Sequence, residues 1–178
     1  MTRATHHVDR YLVDNKVGWR LAVTRTHAYR EDPRPAQGAR PVLVVPGYGM
    51  NSFIFSFHPK GPSMVDTLAA RGLEVWTVDF RGQGKSIRAR GTNRYTLGDL
   101  AIDDLGAVLQ FIVAHTACPG AKTVDLVGCS LGAAQSIAPV ACGPDAPGHA
   151  LVSMAGLVTF KATHPWCATR SPPLASPA

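Results

Sequence analysis

The residues best suited by type and spacing to covalent chemistry are Gly128-Cys129-Ser130-Leu131-Gly132. A serine hydroxyl can attack a carbonyl carbon and hold the acyl group covalently, provided N–H donors meet the oxyanion that develops. G-x-S-x-G suits this, because small residues must flank a serine carried on a sharp strand-to-helix turn. Before it, Thr123-Val124-Asp125-Leu126-Val127 reads as a short buried strand. After it, Leu131 to Val140 reads as one helix, with Leu131, Ala133, Ala134, Ile137 and Ala138 on its apolar face. That context aims the Leu131 N–H and the helix N-terminus at the space where an oxyanion would form. The competing reading makes Ser130 a helix cap and nothing more. Cys129 is read as a small buried residue, since the apex of the turn belongs to the serine.

A second stretch, Gly84-Lys85-Ser86, looks like the tail of a phosphate-binding loop. That motif needs a glycine five residues before Gly84, where this chain has Asp79, and Ile87-Arg88-Ala89-Arg90-Gly91 is a poor helix start. Nucleotide binding is therefore not expected. The four cysteines, Cys118, Cys129, Cys142 and Cys167, form no C-x-x-C pair. They are expected to be reduced and mostly buried, with no metal site.

The elements that would position Ser130 follow in order. Tyr11 to Val13, a turn at Asp14-Asn15-Lys16, and Gly18 to Thr26 predict a β-hairpin. Pro41 to Val45 is wholly apolar, as in a strand buried on both faces, and stops at Pro46-Gly47-Tyr48-Gly49. An aromatic loop follows (Phe53, Phe55, Phe57, His58), which either lines a pocket or packs as core. Ser63 to Arg71 reads as a helix capped by Ser63 and ended by Gly72, and Leu73 to Asp79 as a strand. Thr96 to Ala117 carries Leu97, Leu100, Ala101, Leu105, Val108, Leu109, Ile112 and Val113 at helical spacing. A last strand is predicted over Ala150 to Met154. The fold class is thus α/β: a mostly parallel sheet with an N-terminal antiparallel hairpin and helices on both faces.

The chain of 178 residues, 46% hydrophobic and 17% charged, is long enough for one cored domain. We expect that domain over residues 1–160, and a disordered tail over 161–178, where Pro172 and Pro173 exclude a helix. The basic cluster Arg81, Lys85, Arg88, Arg90 and Arg94 lacks interleaved aromatics, so it reads as a solvated loop with no nucleic-acid partner. No run reaches membrane-spanning length, and Met1 to Arg10 lacks the apolar core of a signal peptide, so a cytoplasmic location is expected.

Three motifs stand together in this order: Pro46-Gly47-Tyr48-Gly49, Asp79-x-Arg81-Gly82-x-Gly84-x-Ser86, and Gly128-x-Ser130-x-Gly132. Over about Tyr11 to Leu157 the chain thereby resembles the α/β-hydrolase fold family, with a finer likeness to lipase-like and polyhydroxyalkanoate-type members. The resemblance implies a serine hydrolase that works on a carboxylic ester through an acyl-enzyme at Ser130. It implies an oxyanion hole made by the backbone N–H groups of Tyr48 and Leu131, and no metal or organic cofactor. Many members have histidine where this chain has Pro46, which changes the wall behind the hole but not its donors. The substrate class implied is a small-molecule, lipid or polyester ester. Acyl transfer and a non-catalytic acyl-binding remnant remain the alternatives.

In that fold the partners of the serine follow it in the order acid, then histidine. After Ser130 this chain has Asp145, His149 and His164. Asp145 and His149 enter the last strand at the end of the sheet opposite Ser130, and His164 has no acid after it. The expectation is a truncated hydrolase lacking the acid and base of its triad. The uncharged run Ala150 to Val158 would then form an exposed apolar sheet edge able to self-associate.

Overall fold

A computed structural model of the protein describes residues 6–28, 38–91, 93–141 and 147–156. The expected tail, and the residues Asp145, His164, Cys142 and Cys167, lie outside the described residues. The hairpin consists of β1 (His6–Asp14) and β2 (Trp19–Ala28), paired from His6 opposite Ala28 to Asp14 opposite Arg20. Asn15 builds its turn: the side-chain oxygen accepts the Val17 and Trp19 N–H groups at 3.1 and 2.9 Å. The strands reach further than apolar alternation suggests, because polar residues pair across them. Asp9 lies opposite Arg25 and accepts from its guanidinium at 2.7 and 2.9 Å, and His7 stacks on His27.

The remaining strands are β3 (Val42–Val45), β4 (Val75–Asp79), the two-residue β5 (Ile87–Arg88), β6 (Val124–Cys129) and β7 (Gly148–Met154). Among the described residues they form one sheet in the order β1-β2-β4-β3-β6-β7, with β5 paired to β2. The pairs β4–β3, β3–β6 and β6–β7 are parallel, and both β2 pairings in the body of the sheet are antiparallel. This is the mixed sheet expected from the sequence.

Helices cover both faces. α1 (Phe53–Ser56) and α2 (Met64–Ala70) lie before β4, with Ser63 and Asp66 closing a reciprocal capping box on α2. Val65 and Ala69 of α2 and Phe55 pack with Val42, Val44, Val75 and Val127. On the other face α4 (Leu105–His115) sets Leu105, Val108, Leu109 and Ile112 against Leu43, Val45, Trp76, Val78 and Leu126. The long helix expected over Thr96 to Ala117 is instead three joined pieces: α3 (Leu97–Asp99), a π-helical turn (Leu100–Asp104) and α4. The wider turn lets Leu100, Asp104 and Leu105 all face inward.

The helix expected from Leu131 to Val140 is likewise divided, into α5 (Leu131–Gln135) and α6 (Ile137–Ala141). Pro139 has no N–H to donate and its ring crowds the carbonyl of Gln135. Ser136 turns its hydroxyl back onto the Gly132 carbonyl at 2.7 Å. The aromatic loop divides its roles too: Phe55 is core, while Phe53 and Phe57 stack on each other at the surface with centroids 4.9 Å apart. Cys118 is buried, which pushes its thiol pKa up, and Cys129 is half-buried; both are free thiols. No helix among the described residues is long and apolar enough to cross a membrane.

Candidate active site

From β3 the chain leaves through α1 and α2 toward β4, on one side. From β6 it leaves through α5 and α6 toward β7, on the other. The crevice at the carboxyl ends of β3 and β6 is therefore the switch point where open parallel sheets bind ligands. Two of the sequence motifs meet there, Pro46-Gly47-Tyr48 after β3 and Ser130 after β6.

Ser130 has φ +51° and ψ −119°, a conformation that costs a non-glycine residue about 1–3 kcal/mol and persists only where the surroundings impose it. Those surroundings are close-packed backbone. A Cβ on Gly128 would lie 2.7 Å from the Ala133 nitrogen and overlap the Ala133 Cα. A Cβ on Gly132 would lie 2.6 Å from the Val45 carbonyl oxygen and overlap that of Pro46. Both glycines are thus demanded by close approach, and the one at 132 locks α5 onto the end of β3. The Ser130 N–H donates to the Met154 carbonyl at 2.8 Å, fixing the turn to β7. The Ser130 side chain makes no capping hydrogen bond, so the bland reading of a helix cap does not hold.

The structure brings Tyr48 and Leu131 to the same place. A Cβ on Gly47, next to Tyr48, would stand 3.2 Å from the Ser130 Cβ, and Tyr48 and Leu131 both border one cleft of about 190 Å³. Neither backbone N–H has a backbone acceptor among the described residues. The Tyr48 side chain is 83% exposed, so only its backbone is held. His149 is not brought there. It stands in β7 one residue after Gly148, which pairs with Val124, whereas Met154 pairs with Cys129. Five residues of strand, about 16 Å, separate it from the Ser130 end.

The turn after β4 has a different role. The buried Asp79 carboxylate accepts the Ser52 N–H at 2.7 Å and the Lys85 N–H at 2.8 Å, and the Asp79 carbonyl accepts the Ser86 hydroxyl. A side chain at Gly84 would fall on the Asp79 carboxylate. Arg81, expected in a solvated cluster, is instead only 6% exposed. Its Nε and Nη2 donate to Asp104 at 2.9 and 2.7 Å, its Nη2 also reaches Asp103 at 3.2 Å, and Asn15 donates to Asp104 at 2.6 Å. Burial alone would lower the Arg81 pKa, but its hydrogen bonds and charge contacts with Asp104, then Asp103, raise it above the usual value. Lys85, Arg88 and Arg90 are exposed as expected.

Sequence reading missed two residues of the cleft, Gln83 and Gln135, which line it together with Phe80, Tyr95 and Leu100. The available signal for Gln135 was its place four residues after Leu131, on the same helix face, where a polar side chain needs a reason.

Residues 42–178 match the alpha/beta hydrolase family, and the chain belongs to it. No curated protein sequence matches the chain. Among solved structures, it is similar to a protein from Thermoplasma acidophilum assigned as a CIB-like hydrolase (18% identity, TM-score 0.55, 85% of this chain and 64% of that one). It is similar to a protein from Burkholderia cenocepacia assigned as an aryl esterase (23% identity, TM-score 0.57, 89% and 52%). It is also similar to a haloalkane dehalogenase loop variant from Bradyrhizobium elkanii (21% identity, TM-score 0.57, 85% and 41%). The chain spans between 41% and 64% of the length of these three.

Proposed function

We propose that the protein is a serine hydrolase acting on a carboxylic ester, with Ser130 as nucleophile and the Tyr48 and Leu131 N–H groups as oxyanion donors. The observation that carries the reading is the Ser130 backbone, held at positive φ at the switch point by glycines that admit no side chain. The Ser130 oxygen attacks the ester carbonyl carbon and gives up its proton to a base, and the carbonyl oxygen takes the negative charge. Collapse expels the alcohol and leaves the acyl group on Ser130. Water then releases the acid and restores the hydroxyl.

Of the later residues that could supply acid and base, His149 stands at the far end of β7, and Asp145 and His164 lie outside the described residues. Acylation supported by the oxyanion donors without an acid–base pair is slow. Oxyanion and binding terms by themselves sustain about a thousandfold acceleration over water in triad-stripped proteases. A fluorophosphonate probe followed by peptide mass spectrometry tests the assignment. The adduct should map to Ser130 and vanish in Ser130→Ala. An adduct on Cys129, or one that survives the substitution, would overturn it.

A further inference from the structure

The loop that carries Tyr48 is fastened to the turn after β4 through one buried side chain. Asp79 ends β4 two residues past Thr77, which pairs with Val44, so it stands level with Pro46, where that loop begins. Asp79 is 3% exposed. One carboxylate oxygen accepts the Lys85 N–H of its own turn at 2.8 Å, and the other accepts the Ser52 N–H at 2.7 Å. Hydrogen bonds from backbone N–H groups to a carboxylate are strong and directional. Between Gly47 and Ser52 little else holds the chain. Tyr48 and Gly49 are exposed, Gly49 has φ +67°, and a Cβ built on it would meet nothing within 4 Å. One turn bond, from the Met50 N–H to the Gly47 carbonyl at 3.2 Å, lies within the stretch. The loop is therefore placed by its ends: Gly47, packed against the Cys129 carbonyl and the Ser130 Cβ, and Ser52, held by Asp79.

We infer that Asp79 is a positioning residue for the reaction: through the Ser52 N–H it sets where the Tyr48 N–H stands, and with it the geometry of the oxyanion hole. Oxyanion donors act by being in place before charge develops, and a misplacement of about 1 Å costs about a hundredfold in rate. Phe55, buried in the core, keeps α1 in place beyond Ser52. Loss of the Asp79 bond should therefore loosen the loop without unfolding the protein. The role of Tyr48 as a donor rests on the function proposed above, whereas the fastening of its loop rests on the Asp79 carboxylate.

Two variants of the full chain cut the fastening. Asp79→Ala removes the acceptor. Ser52→Pro removes only the donor, at a residue whose φ of −60° suits proline, and leaves the Lys85 bond in place. Fluorophosphonate labelling over a series of concentrations separates the binding constant of the probe from its limiting rate. In each folded variant the limiting rate should fall about tenfold or more while the binding constant stays within about twofold, a split that general loosening of the fold would not produce. Backbone amide NMR relaxation should give Tyr48 an order parameter of about 0.85 in the wild type and below about 0.6 in the variants. An unchanged limiting rate in a folded variant would overturn the inference. So would a wild-type order parameter already below about 0.6, which decides the matter even where neither variant folds. A wild type without a Ser130 adduct would instead reject the nucleophile, and the order parameters alone would then decide whether Asp79 fastens the loop.

Discussion

Two glycine-rich turns follow parallel strands of the same sheet, Asp79 to Ser86 after β4 and Gly128 to Gly132 after β6. Their polar groups are treated in opposite ways. In the first, Asp79 is engaged by two backbone N–H groups, and Arg81 by Asp104 and Asp103. In the second, the Ser130 side chain makes no capping hydrogen bond, and among the described residues the Leu131 N–H meets no backbone acceptor. Glycine content alone does not distinguish a turn that braces the fold from one that offers groups to a ligand. The state of the donors and acceptors does, because a polar group satisfied inside the protein has little left to give a substrate.

The comparison breaks first at Asp104. Asp104→Ala leaves the buried Arg81 guanidinium with only its weaker Asp103 contact and takes the acceptor from Asn15 and the Arg81 N–H, and should cost about 3–5 kcal/mol in urea denaturation. A loss below about 1 kcal/mol would mean that the first turn does not brace the fold. Next comes Gly132→Ala, which drives a methyl into the carbonyls of Val45 and Pro46 and should cost about 1–3 kcal/mol by the same measurement. It should also slow fluorophosphonate labelling, because the shift needed to relieve the overlap moves Leu131.

A smaller effect of opposite sign sharpens the contrast. Ser130→Gly releases about 1–3 kcal/mol of backbone strain against about 0.5–1 kcal/mol for the added chain entropy. The protein should gain about 1 kcal/mol while losing all labelling, the mark of a residue held for chemistry. A destabilised Ser130→Gly would show that the side chain is structural.

The weakest effect concerns groups left open without any site. β7 ends the sheet, and among the described residues no strand pairs with its outer side; Val152 is 59% exposed. Sedimentation velocity should show association that grows with concentration and falls in Val152→Lys, since an edge lysine opposes strand pairing. A monomer at all concentrations would mean that this edge is covered.

Local signals carried the sequence reading far. The Asp14-Asn15-Lys16 turn, the apolar strand Val42–Val45, the Ser63 cap and the strand-turn-helix around Ser130 each depend on residues within a few positions of one another. Chain order alone therefore reached most of the strands, their mixed sheet and the tight turn that carries Ser130, but not the division of the two longer helices. What it could not determine involves partners distant along the chain. Arg81 looks solvated until Asp104, twenty-three positions later, is brought beneath it by a π-helical turn. Gln135 looks like one helix residue among others until α5 is pressed against β3 and its amide oxygen is closed off from water. Only the tertiary structure decided those two, because burial turns a solvated charge into a brace and an ordinary amide into an unpaired acceptor, and burial is a property of the packed sheet and not of the local sequence.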